Sequence, residues 1–182
     1  MQGRVRLAAA VCAAVLCAAS AAFAQNPNRV TVRAMLGGSN EVPAVSAGAH
    51  GEAVVTVDRG AGTIDYEVNI FNLPSGIVGS HIHVGTAGVN GPIVINFPVA
   101  AVGQSGAFQL KGSARASELV ARPEAGVRFF EEAAFAIASG AAYVNVHTQA
   151  NPGGEIRGQL CPESALANTF NGVALCTQPP RR

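Results

Sequence analysis

Thr63-Ile64-Asp65-Tyr66-Glu67-Val68-Asn69-Ile70-Phe71 alternates without a break. Ile64, Tyr66, Val68 and Ile70 are apolar, while Thr63, Asp65, Glu67 and Asn69 are polar. Period two sends alternate side chains to opposite faces of a strand, so this stretch predicts a half-buried β-strand. The same alternation precedes it in residues 52–57, across Asp58-Arg59-Gly60-Ala61-Gly62, and the two together predict a hairpin. Residues 29–36 repeat the pattern, with Val30, Val32, Ala34 and Leu36 apolar, and stop at Gly37-Gly38.

Downstream, Leu73-Pro74-Ser75-Gly76 reads as a turn, followed by a strand that carries Gly79-Ser80-His81-Ile82-His83-Val84-Gly85. Residues 93–97, 107–111, 142–149 and 155–161 add four short strands. A helical stretch is expected over 117–139, divided at Pro123 because proline fits only the first turn of a helix. Past Pro123, Val127, Phe130, Ala134, Ile137 and Ala138 recur at helical spacing, and Gly140 supplies a stop. The Phe129-Phe130 pair and its helix read as a lid over a sheet edge or over one end of the domain. There is no βαβ rhythm. The fold class is therefore mainly β: an antiparallel sandwich or Greek-key barrel of about eight short strands, with a short helical insertion before the last hairpin.

The chain has 182 residues. Residues 1–24 read as a secretory signal peptide: Arg4 and Arg6, an apolar run from Leu7 to Ala19, and the small-residue site Ala22-Phe23-Ala24. Val11 and Leu16 precede Cys12 and Cys17, where a lipoprotein site wants a small residue, so ordinary cleavage is expected. Residues 25–161 then form the β domain and 162–182 a tail. Without Arg4 and Arg6, ten basic residues face eleven acidic ones, which excludes the basic footprint of a nucleic-acid binder. No segment after the signal is long and apolar enough to span a membrane as a helix. Cys161 and Cys176 remain in an exported, oxidising setting and are expected to pair and pin the tail.

The chemistry rests on histidine. His81 and His83 share one strand face, away from Ile82 and Val84. His147, in Tyr143-Val144-Asn145-Val146-His147-Thr148, faces away from Val144 and Val146. If the two strands are neighbours, three imidazoles converge on the polar side, and one ion can take all three at ~2.0–2.1 Å. His50, before Gly51-Glu52, is a fourth candidate ligand. Neutral imidazole suits copper, zinc, iron and nickel. The cofactor reading is one copper ion, ahead of zinc, and its alternative is no cofactor. The competing readings make these histidines braces for the Gly-rich loops they border, or acid–base groups that work without a metal. Glu155 and Arg157 share a polar strand face, either as a surface pair or beside His147.

Three motifs, in order, resemble one known family. They are Leu36-Gly37-Gly38-Ser39-Asn40-Glu41-Val42-Pro43, then Ser80-His81-Ile82-His83-Val84-Gly85 with Asn90-Gly91-Pro92-Ile93-Val94, then Tyr143 to Thr148 with Asn151-Pro152-Gly153-Gly154-Glu155-Ile156-Arg157-Gly158-Gln159-Leu160. The chain resembles a CHRD domain, the module named after chordin, over roughly residues 30–160. The resemblance implies an exported β domain. It does not extend to the growth-factor antagonism of chordin, whose cysteine-rich modules are missing here. The His-x-His strand is also similar to the copper strand of copper/zinc superoxide dismutases. Those enzymes need about six histidines and an aspartate, whereas this chain has four histidines and only Asp58 and Asp65.

The function expected from the sequence is a periplasmic or cell-surface binding module for a protein or a metal ion. The alternatives are a mononuclear copper redox enzyme with dismutase-like chemistry, and a structural or adhesive module without metal.

Overall fold

The computed structural model describes residues 28–99, 102–162, 169–170, 173–174 and 176. The expected signal peptide lies outside these residues, as does most of the 162–182 tail.

The alternating stretches form the strands they predict: β1 (Arg29–Gly37), β2 (His50–Asp58) and β3 (Thr63–Leu73). Asp58 Oδ1 accepts the Ala61 N–H at 2.9 Å inside the β2–β3 turn. β3 runs two residues past the expected end. A bulge after Ile70, with Asn72 at φ 56°, turns Leu73 back into the core. The histidine strand is β4 (Ile77–Val84), followed by β5 (Ile93–Phe97), β6 (Gly106–Arg115), β7 (Ala142–Thr148), β8 (Ile156–Gln159) and the short β9 (Cys161–Pro162).

The strands pair antiparallel in the order β5-β4-β7-β8-β1-β2-β3-β6, with β9 also on β1. This is one sheet, nearly closed as a barrel, not two stacked sheets. β5 and β6 end the path and approach each other. Phe97 of β5 stacks on Tyr66 of β3 with centroids 3.9 Å apart. The β3–β4 and β6–β7 connections join strands that are not neighbours. One face of the sheet is the core: Val32, Ala34, Ala53, Val55, Ile64, Val68, Ile82, Val144, Val146 and Ile156 are fully or almost fully buried in it.

The helical insertion is shorter than its pattern suggests. Only α1 (Phe130–Ala138) is α-helical, while Ala116–Glu118 and Pro123–Ala125 are 3-10 turns. Pro123 opens the second turn and Gly126, at φ 77°, ends it. The intervening chain bonds to the sheet instead: Val120 N–H donates to Val94 O and Arg122 Nε to Ile93 O, each at 2.9 Å, covering the free edge of β5. α1 then buries Phe130, Ala133, Ala134 and Ile137, spaced i, i+3, i+4 and i+7, against β1, β2, β4, β7 and β9. Glu132 accepts the Phe129 N–H at 3.1 Å and pairs with Arg128, and Gly140, at φ 83°, follows the helix end.

Cys161 and Cys176 form the expected disulfide, with Cα atoms 5.7 Å apart. It holds Cys176 beside Gly140 and Leu160.

Candidate metal centre

β4 and β7 are hydrogen-bonded neighbours. Their register pairs Gly79 with His147, His81 with Asn145 and His83 with Tyr143. Because alternate residues share a face, His81, His83 and His147 all project from the outer side of the barrel, opposite Ile82, Val144 and Val146. Ring centroids are 4.8 Å apart for His81–His147, 5.6 Å for His81–His83 and 6.0 Å for His83–His147. One ligand nitrogen from each ring lies within 4.8 Å of the other two. Three nitrogens on one tetrahedral ion stand ~3.3 Å apart, so small ring rotations close the set.

Hydrogen bonds fix two of the rings. His83 Nδ1 lies 2.9 Å from Gly91 O, and His147 Nδ1 lies 2.9 Å from Pro152 O. A carbonyl only accepts, so Nδ1 carries the proton and Nε2 keeps its lone pair in the neutral ring. Those two Nε2 atoms, with His81 Nδ1, are buried without a hydrogen-bond partner among the described residues. Burial holds His81 and His83 neutral. Its effect on His81, helped by the neighbouring His147 and His83, lowers the pKa to about 4. Burial likewise brings His83 to about 4, against the opposing bond to Gly91. His147 is also lowered, by burial first, although its bond to Pro152 resists. The group is thus three uncharged imidazoles with lone pairs available, the state a metal requires.

His50 is not part of it. Register carries the His81 row through Asn145, Arg157 and Gly37 to His50, four strands away and so ~19 Å along the curved sheet. His50 is exposed, 3.3 Å from Gly48 O through Nδ1, and stacks on Phe71.

The outer face here is not open surface. Glu155 is 1% exposed and Arg157 2%, which corrects the expectation of a surface pair. Neither reaches the other. Arg157 donates to Asn90 Oδ1 at 3.0 Å and to Val89 O at 2.6 Å, and its guanidinium lies 3.4 Å over the Tyr143 ring. Tyr143 stacks in turn on His83, with centroids 4.8 Å apart. Asn90 Nδ2 donates to Val42 O at 2.8 Å, and Asn40 Nδ2 to Arg157 O at 3.0 Å. Glu155 accepts from Thr148 Oγ1 at 2.8 Å and Asn151 Nδ2 at 2.7 Å. Two loops, following β1 and β4, are thereby clamped over the histidine face.

Polar residues from all three sequence motifs meet in this one layer. A family model for the CHRD domain matches residues 32–160. The chain belongs to the CHRD-domain family. No curated protein and no solved structure gives a significant match. In this CHRD domain the polar motif residues therefore build a buried layer outside the barrel core, while Leu36, Ile82, Val94, Val144, Val146 and Ile156 of the same motifs fill the core. CHRD membership and the disulfide support an extracellular or periplasmic setting. Among the described residues no helix is long and apolar enough to cross a membrane.

Among the members of the layer that carry no site role in the sequence reading are Glu41 and Asn145. Both are buried, at 7% and 4% exposure, and Asn145 Nδ2 lies 3.5 Å from Glu41 Oε2. Their motif positions were the available signal. What brings them together is the fold of the loop after β1 across β7.

Proposed function

We propose that this CHRD domain is an exported binding module that holds one metal ion, copper ahead of zinc, on His81, His83 and His147. The observation that carries this reading is the set of three buried, unpartnered imidazole nitrogens on one face of two adjacent strands. Loop bracing alone accounts for the Nδ1 bonds of His83 and His147 but leaves every second nitrogen unexplained. A buried polar atom without a partner costs ~1–3 kcal/mol, and three such atoms within 4.8 Å of one another favour a shared ligand. The bonds to Gly91 O and Pro152 O serve as the outer contacts that orient ligating histidines.

Three protein ligands leave a fourth position open, which favours a mononuclear copper redox enzyme as the second reading. Superoxide or peroxide consumption that depends on added copper separates it from a plain binding module.

The test of the main reading is a Cu(II) titration of the protein followed by electron paramagnetic resonance, with His83→Ala alongside. One saturable site with nitrogen hyperfine structure, absent in the variant, is expected. Equal copper uptake by both proteins sinks the reading.

A further inference from the structure

Glu41 is a carboxyl group in an unusual place. It is 7% exposed, and Gly154 gives it room: a Cβ there would stand 2.6 and 2.7 Å from its two carboxyl oxygens. The only hydrogen bond to its carboxyl among the described residues is the 3.5 Å contact from the uncharged amide of Asn145. Glu41 Oε1 and Asn145 Oδ1 are both buried without a partner among those residues. Arg157 attracts the carboxyl but spends its own donors on Asn90 Oδ1 and the carbonyls of Val89 and Thr86. A buried carboxylate with no cation hydrogen-bonded to it is disfavoured, so burial favours the protonated form.

The neighbouring arrangement gives that proton a use. Asn145 is the register partner of His81 and sits between Tyr143 and His147 on the histidine face. A divalent ion on three neutral imidazoles keeps its full charge, in a layer that already holds the buried Arg157 cation. One nearby anion is missing. The charged or titratable groups facing Glu41 are Arg157 and Glu155 from the β8 side; across Asn145 lie His81 and His83 from β4, with His147 and Tyr143 from β7. Of these, Glu155 is already held by Thr148 and Asn151.

Building on the metal reading of the trihistidine cluster, we propose that Glu41 supplies the counter-charge of that site. It holds a proton when no ion is bound and releases it to solvent when a divalent ion enters. The carboxyl O–H bond breaks, its electron pair stays on Glu41 as carboxylate, and no redox change is involved. Burial, opposed by Arg157 and Asn145, raises the Glu41 pKa to about 7, in keeping with a carboxyl that without metal is mostly neutral below that pH and ionises at little cost beside an ion.

Calorimetric titration with Cu(II), and separately with Zn(II), at about pH 6 in two buffers of different protonation enthalpy counts the protons released. At that pH His81 and His83 are already neutral and contribute almost none. Wild type should release close to one proton more than Glu41→Gln, and the variant should bind either ion about 10-fold more weakly. Infrared difference spectra of the wild type provide a check that needs no variant: the protonated-carboxyl band should vanish on metal addition. Equal proton release by both proteins, or an unchanged carboxyl band with metal bound, overturns the role of Glu41 and leaves the metal site standing. Failure of the wild type to bind either ion overturns both.

Discussion

Gly79 and His147 are register partners on β4 and β7, and the side chain that Gly79 lacks is where the His81 ring sits. A Cβ built on Gly79 would lie 3.0 Å from His81 Cε1 and 3.2 Å from His81 Nε2. Gly79→Ala should therefore displace the His81 ring from its place in the cluster. Metal affinity should fall about 10-fold, equivalent to ~1.4 kcal/mol, with little change in melting temperature. Calorimetry and thermal melting of the variant check both halves.

Metal should stabilise the fold. At a free-ion concentration one hundred times Kd, linkage adds ~2.7 kcal/mol of stability. For a chain of this size that is a rise of about 5–11 °C in Tm. The rise should disappear in His83→Ala and His147→Ala, and persist in His50→Ala, because His50 stands outside the cluster. Scanning calorimetry with and without Zn(II) gives the comparison.

The metal-free protein should show two opposed pH effects. His81 and His83 fall from 6.5 to about 4 on folding, so their contribution is present above pH 6.5 and is lost as pH drops through about 4. Glu41 rises from 4.5 to about 7, so its contribution is present below pH 4.5 and is lost as pH climbs through about 7. Between these limits the two histidines outweigh the one carboxyl, and net stability should decline on acidification. Glu41→Gln should make that decline steeper, since the opposing group is gone. Urea unfolding at several pH values measures the slopes.

Arg157 holds the loop after β4 over the site through Asn90 Oδ1 and Val89 O. Arg157→Lys keeps a charge but loses the planar fork and the stacking on Tyr143. A loss of ~2 kcal/mol is expected from the abandoned acceptors. Metal affinity should drop with it, because the carbonyl of Gly91 that orients His83 belongs to the same loop. Denaturant unfolding paired with a copper titration tests the coupling.

Reduction of Cys161–Cys176, 15 residues apart, should cost ~3 kcal/mol by the chain-entropy estimate. The metal site should survive, since the disulfide lies on β9 and the ligands lie on β4 and β7. Melting and metal titration in the presence of a reductant decide this.

The strands, their inward faces and the side on which the histidines project were legible in the sequence, because strand geometry has a period of two and β-branched residues mark the buried side. Ile82, Val144 and Val146 carried that information by themselves. The helical insertion was less legible. The expected helical stretch begins at residue 117, but helical spacing is present only from Val127, and Val120 and Arg122 bond instead to the edge of β5. The outer layer was the least legible part. Glu155 and Arg157 look like surface charges, since polarity says nothing about whether a loop will cover it.

The sequence by itself determined an antiparallel β domain and a histidine pair on one strand face, since both follow from local periodicity. Only the tertiary structure decided that β7 lies beside β4, that His50 is four strands removed, and that Glu41 and Arg157 are buried. Those facts depend on strand order and loop path, which arise from contacts between residues far apart in the chain and leave no periodic trace in it.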